Sequence, residues 1–165
     1  MRRMLAVKQI MVPLSEYPVI SEQATVRQAM DVLRSFFHQR HGVWYGFWSL
    51  LVLDRTGRPA GILTLRGFLK ALQLQRTLEI VFRGGDPTGL FMSGLFDQKM
   101  AITVRNIMRP IRQVWVSQEE NILAAALRML SKNVNSLPVF AGEELVGILR
   151  TVDLFWYIGE LLEDA

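Results

Sequence analysis

His38 and His41 are the only histidines in the 165 residues, and their spacing of three invites a test for a metal site. Imidazole is a common ligand for transition metals, but a closed site needs further nitrogen, sulfur or carboxylate donors. Cysteine is absent and no acidic residue lies between Val32 and Leu53, so packed or exposed histidines are the favoured reading and no metal is expected. The lack of cysteine also removes disulfides and thiol nucleophiles. A second chemical candidate is Gly84-Gly85-Asp86-Pro87-Thr88-Gly89, but a loop that cradles phosphate would continue into Gly-Lys-Ser/Thr, and this one does not. The chain has no Gly-x-Ser-x-Gly, no His-Glu-x-x-His and no dinucleotide fingerprint, which argues against an enzyme.

Charge offers a different chemistry. The formal net charge is +4, and Lys8, Lys70, Lys99 and Lys132 are the only lysines, so 15 of the 19 basic residues are Arg. The guanidinium fork suits phosphate and carboxylate. These arginines are scattered, with no basic run longer than Arg2-Arg3, so nucleic acid is not the expected partner. The apolar stretch after Arg3 ends at Lys8, too short for a secretory core. The run Gly42 to Leu53 is 12 residues long, short of the ~20 that a spanning helix needs. A cytoplasmic protein without a membrane span is expected. A hydrophobic content of 50% is enough for a real core.

The elements that would position such side chains come in two copies. Val7, Ile10, Met11 and Pro13 recur as Val104, Ile107, Met108 and Pro110, 97 residues on. Thr25 to Ala29 answers to Asn121 to Ala125 at 96, Ser49 to Leu53 to Ser136 to Phe140 at 87, and Gly61-Ile62-Leu63 to Gly147-Ile148-Leu149 at 86. Thr25 and Asn121 are N-cap residues. Val26, Ala29, Met30 and Leu33 follow at helical spacing in one copy, and Ile122, Ala125, Ala126, Met129 and Leu130 in the other. Apolar runs at 50–53 and 137–140 face 61–63 and 145–149 across turn-rich segments, which predicts paired strands. A closing helix follows from Leu65 to about Leu74 and from Val152 to about Leu162. The fold class is therefore α/β in the α+β sense, with a unit of β-α-β-β-α used twice.

These residues resemble the CBS domain family, and the tandem resembles a CBS pair, or Bateman module. The resemblance rests on the Ile-Met-x-Pro opening (Ile10 to Pro13, Ile107 to Pro110), the capped helix with central Ala, Leu137-Pro138-Val139, and Gly-Ile-Leu before the last helix. It implies two repeats packed about a pseudo-twofold axis, a homodimer, and regulatory binding of an adenine nucleotide (AMP, ADP or ATP) or S-adenosylmethionine, with no cofactor required. It also implies a clamp in which a Ser or Thr after the Gly-containing strand is followed three residues later by Asp. Here the copies split that motif. The first has Thr64 but Gly67; the second has Asp153 but Arg150 in the hydroxyl position. The resemblance thus places Asp153 on a ribose, Arg150 or Arg109 on phosphate, and Met108, Pro110, Leu137, Pro138 and Val139 around the base, with Thr64 in the weaker cleft. Each has a plainer alternative: Asp153 and Thr64 can cap helices without any ligand, Arg150 can be a solvated side chain, and Met11 and Met108 can fill core.

The repeat is interrupted in two places. The fall in spacing from 96 to 87 gives the first copy nine extra residues, within the aromatic stretch near 38–48 that contains Gly42 to Trp48. That composition suits a partner surface or a cleft closure, though an extended strand or extra core packing is the favoured reading. Residues 75–103 read as a linker with a short helix through Leu90, Leu95 and Phe96, between a first domain at 7–74 and a second at 104–165. The expected function is a stand-alone, bacterial-type regulatory sensor acting on an effector protein in trans. The alternative is a dimerisation or scaffolding module that takes no small ligand.

Overall fold

The computed structural model describes residues 5–72, 83–84, 98 and 100–163. The expected linker helix through Leu90, Leu95 and Phe96 lies outside the described residues. The chain divides into two compact units, Pro18–Pro110 and Met1–Tyr17 with Ile111–Ala165.

In the unit Pro18–Pro110, β2 (Val19–Ser21) runs parallel to β5 (Ser49–Leu53), which pairs antiparallel with β6 (Pro59–Thr64), and β6 with β7 (Arg109–Pro110). Helix α1 (Val26–Ser35) begins with a reciprocal cap: the Gln28 amide donates to Thr25 Oγ1 at 3.1 Å and the Thr25 amide to Gln28 Oε1 at 2.9 Å. Val26, Ala29 and Leu33, one stripe of that helix, are buried with Leu50, Val52, Leu63, Phe68 and Val104. Helix α2 (Leu65–Ala71) closes the unit. Two further strands, β3 (His38–Arg40) and β4 (Val43–Tyr45), form a separate hairpin.

The other unit repeats this plan. Its sheet runs β1 (Val12–Pro13), β10 (Glu144–Arg150), β9 (Ser136–Ala141), β8 (Val116–Ser117), with β8 parallel to β9 and the rest antiparallel. Helix α3 (Ile122–Lys132) starts where Asn121 Oδ1 accepts the Leu123 amide at 2.8 Å, and ends on Asn133 in the left-handed region at φ 52°. Helix α4 (Thr151–Glu163) is the last element. The core holds Val7, Val116, Ile122, Ala125, Met129, Leu137, Val139, Leu149 and Leu154. Leu130, grouped by spacing with the core face of α3, is instead 79% exposed. At about 100° per residue, Leu123, Leu127 and Leu130 fall on a second stripe beside the one formed by Ile122, Ala125 and Met129.

The opening segment of each repeat pairs within the unit built from the other repeat. Val7 and Lys8 amides donate to Glu120 and Gln118 carbonyls at 2.9 and 3.0 Å, and Val104 and Arg105 amides donate to Ala24 and Glu22 carbonyls at 2.8 and 2.9 Å. Pro13 then lies opposite Gly147, and Pro110 opposite Gly61. A Cβ on Gly147 would stand 2.7 Å from both Val12 O and Met11 Sδ; one on Gly61 would stand 2.6 Å from Arg109 O and 2.7 Å from Met108 Sδ. The repeated glycine is what lets the two backbones approach.

Candidate functional site

Strand β10 ends at Arg150 and α4 begins at Thr151, so Asp153 sits in the first helical turn. Its carboxylate reaches back. Asp153 Oδ2 accepts the Arg150 amide at 3.1 Å and Arg150 Nε at 2.9 Å, while Oδ1 accepts Arg150 Nη2 at 2.6 Å. One carboxylate thus serves as helix cap and as the partner of a two-point ion pair. The two side chains are only 24% and 15% exposed, which weakens solvent screening. The hydrogen bonds that Arg150 donates to Asp153 push its pKa further up, against the burial that works to lower it. The buried Tyr17 adds a smaller effect in the same direction as Asp153. Arg150 is therefore a fixed cation. No periodicity marked Tyr17 in the sequence; only its neighbour Pro18 signals a turn there.

Leu137, Pro138 and Val139 lie on β9, the strand next to β10, in the same unit as the pair. Leu137 and Val139 are fully buried and belong to the hydrophobic core. Their backbone carries β10 in register, with Leu149 opposite Leu137 and Arg150 opposite Ser136.

The remaining residues expected around a ligand fall in the unit Pro18–Pro110. Thr64 is the N-cap of α2, its hydroxyl accepting the Gly67 amide at 3.1 Å. Gly67, where an acid would complete the motif, has Leu63 Cδ1 3.3 Å and Thr64 Oγ1 3.6 Å from the position of a Cβ. Arg109 and Pro110 form β7 against Ile62 and Gly61. Burial alone pushes the Arg109 guanidinium down from its ordinary pKa. Met108 packs on Gly61 and on the core of that unit, and Met11 does the same at Gly147 in its own unit. The structure therefore brings Asp153, Arg150 and the Leu137–Val139 strand into one unit, and Thr64, Met108, Arg109 and Pro110 into the other.

Two further arginines of the unit that holds Arg150 have partners. Arg128 pairs with Glu120 at 2.8 Å, and the Arg112 guanidinium lies 3.7 Å from the Phe140 ring centroid. Among the described residues no group of three or more His, Cys, Asp or Glu could hold a metal ion, and no helix is long and apolar enough to cross a membrane.

The family model for the CBS domain matches residues 7–74 and 104–160. No curated protein matches the sequence. Among solved structures, CBSX2 in complex with AMP is similar over 94% of this chain and 97% of its own, at 20% identity and a TM-score of 0.64. A putative acetoin utilization protein from Vibrio cholerae is similar over 98% and 95%, at 17% identity and 0.64. The CBS domain pair of protein MJ0100, in complex with 5′-methylthioadenosine and S-adenosyl-L-methionine, is similar over 96% and 98%, at 19% identity and 0.63. At these identities the likeness carries the fold, built here on two four-stranded sheets and four α-helices among the described residues.

Proposed function

Because this chain belongs to the CBS-domain family, we propose that it is a cytoplasmic, non-catalytic regulator that binds an adenine nucleotide or related adenosyl ligand and acts on a partner protein in trans. The observation that carries this reading is the half-buried Arg150 and Asp153 pair at the junction of β10 and α4. A carboxylate can accept ribose hydroxyls, and a guanidinium fork can take phosphate. A ligand presenting both groups would exchange one arm of the ion pair for contacts of like chemistry. Its binding would regulate only through unequal affinity for two conformations. Two of the similar structures contain adenosyl compounds, which supports the ligand class. Thermal unfolding against AMP, ADP, ATP and S-adenosylmethionine tests it. Saturating binding at 100-fold over Kd stabilises the fold by about 2.7 kcal/mol. A saturable rise lost in Asp153→Ala supports the reading, and no shift with any of the four refutes it.

A second reading, a homodimeric scaffold, is favoured by one further observation. Leu123, Leu127 and Leu130 on α3, and Val152, Phe155, Trp156 and Leu162 on α4, are all exposed. Aromatic side chains of this kind bury roughly 150–250 Å² each. With four leucines beside Phe155 and Trp156, the patch approaches the roughly 800 Å² per partner of a standard interface. A second copy of the chain offers the same apolar side chains, which fits the expected homodimer.

A further inference from the structure

The hairpin β3–β4 lies within the segment that lengthens the first repeat, and the sheet of the second repeat closes without a counterpart. Core packing therefore does not require it. All of its described side chains are exposed, so the alternative of extra core packing does not apply to the hairpin itself. Its base is nonetheless anchored. Phe36 meets Phe47 edge-on at 5.9 Å, and Phe37 meets Trp48 at 6.0 Å. Phe37 and Phe47 also pack on the core of their unit.

Register places His38 opposite Tyr45 and Arg40 opposite Val43, which sets His38, Arg40 and Tyr45 on one face of the ribbon. The His38 and Tyr45 rings stack at 5.6 Å with 16° between their planes. His41 and Gly42 make the turn, both in the left-handed region at φ 50° and 79°. Asn, Asp or Gly is the usual first residue of such a turn, so a histidine there is held at some backbone cost. These four exposed side chains, His38, Arg40, His41 and Tyr45, line an open-sided surface cavity of about 310 Å³. That volume is at the small end of the roughly 300–1,000 Å³ of small-molecule sites. Among the described residues the lining holds one guanidinium, two imidazoles and a phenol donor. A guanidinium fork, two imidazoles and a phenol place several hydrogen-bond donors around one small cavity, which suits the three terminal oxygens of a phosphate better than the two of a carboxylate.

We propose that this cavity is a binding site for a phosphate monoester on a small molecule, with Arg40 and the two histidines on the phosphate and Tyr45 donating from its hydroxyl. The site is independent of Arg150 and Asp153. Because His38 and His41 are the only histidines, imidazole carbon-proton NMR reports on this site alone. Phenyl phosphate is the probe and benzoate the carboxylate control. Both histidine signals are expected to move saturably with phenyl phosphate, with affinity at least about tenfold weaker in Arg40→Gln. His41→Gly keeps the left-handed turn and is expected to weaken binding similarly. Asp153→Ala is expected to leave it unchanged, which separates this site from the adenosyl reading. Shifts that stay linear with concentration, equal affinity in Arg40→Gln, or benzoate binding as tightly as phenyl phosphate would each overturn the assignment.

Discussion

Arg150 and Asp153 hold each other through two side-chain hydrogen bonds of 2.6 and 2.9 Å, while the Arg150 amide donates a third to the same carboxylate. Two neighbours on one chain have thereby become a single structural unit, because the guanidinium stands where the family pattern places a hydroxyl. A Thr at 150 could not span that pair. The departure from the motif and the occupation of the acid are therefore one event, and any ligand that uses Asp153 competes with an intramolecular partner.

Removing the acid should cost more than removing the base. Asp153→Ala takes away both the helix cap and the partner of a half-buried guanidinium, an expected loss of about 2 kcal/mol in urea unfolding. Arg150→Met leaves the carboxylate on its backbone donor and is expected to cost about half as much. In the double variant the losses should fall short of additivity by about 1 kcal/mol. Strict additivity would show that the pair does not couple. Arg150→Thr, which restores the hydroxyl and frees one arm of the acid, should increase the thermal stabilisation that AMP produces.

The glycines on the two strands opposite the opening segments predict a different failure. A Cβ on Gly147 meets the Val12 carbonyl, which is backbone and cannot swing aside. Gly147→Ala and Gly61→Ala are each expected to destabilise by about 2–3 kcal/mol through strain and a lost ladder contact. Hydrogen exchange should then be faster at Val12 or Arg109, respectively. Unchanged exchange would mean that the opening segments are held without these contacts.

Those same glycines show what the sequence could and could not reveal. Gly61 and Gly147 stood out because they recur at fixed spacing, as did the capped helices at Thr25 and Asn121. Their reason was invisible, since the repeat says nothing about which copy an opening segment joins. The chain pairs Met11 to Pro13 with the second copy and Met108 to Pro110 with the first. Residues expected around one ligand consequently fall in two units. Leu130 was misplaced for a local reason: α3 carries two adjacent apolar stripes, and spacing cannot tell which one meets the core. The ion pair of Arg150 with Asp153 at i, i+3 was within reach of sequence spacing, but the turn from β10 into α4 that closes it had to be seen.

Helix α4 offers a stabilising change. Gly159 lies inside it, and a Cβ there would meet nothing within 4 Å. Gly159→Ala should therefore raise stability by about 1 kcal/mol through the entropy of the unfolded chain and helix propensity. A loss instead would indicate that α4 packs against a second molecule at that position.

The exposed stripes on α3 and α4 predict the oligomeric state. Leu127→Glu with Phe155→Glu places charge in the middle of the apolar patch, at positions exposed in the single chain. Sedimentation should show the wild-type chain as a dimer and the double variant as a folded monomer, with circular dichroism unchanged. A wild-type monomer at micromolar concentration would remove the scaffold reading.

The turn between β5 and β6 predicts how stability depends on acid. Asp54 Oδ1 accepts Thr56 Oγ1 at 2.7 Å, the Thr56 amide at 2.8 Å and the Arg58 amide at 3.0 Å. The Thr56 hydroxyl, then the Arg58 amide, hold the carboxyl below its ordinary pKa, with slight burial acting the other way and the charge of Arg58 contributing least. A folded value below the unfolded one means that the folded state binds fewer protons over that interval. The contribution of Asp54 is complete above its unfolded pKa and is lost as pH falls through the folded value. Asp54→Asn keeps the shape and removes the charge, so its stability should lie below wild type at neutral pH. The two curves should converge in acid as wild-type Asp54 takes up its proton. Urea unfolding across pH 2–7 on both proteins measures this, and parallel curves throughout would show that the turn depends on its hydrogen-bond geometry and not on the charge.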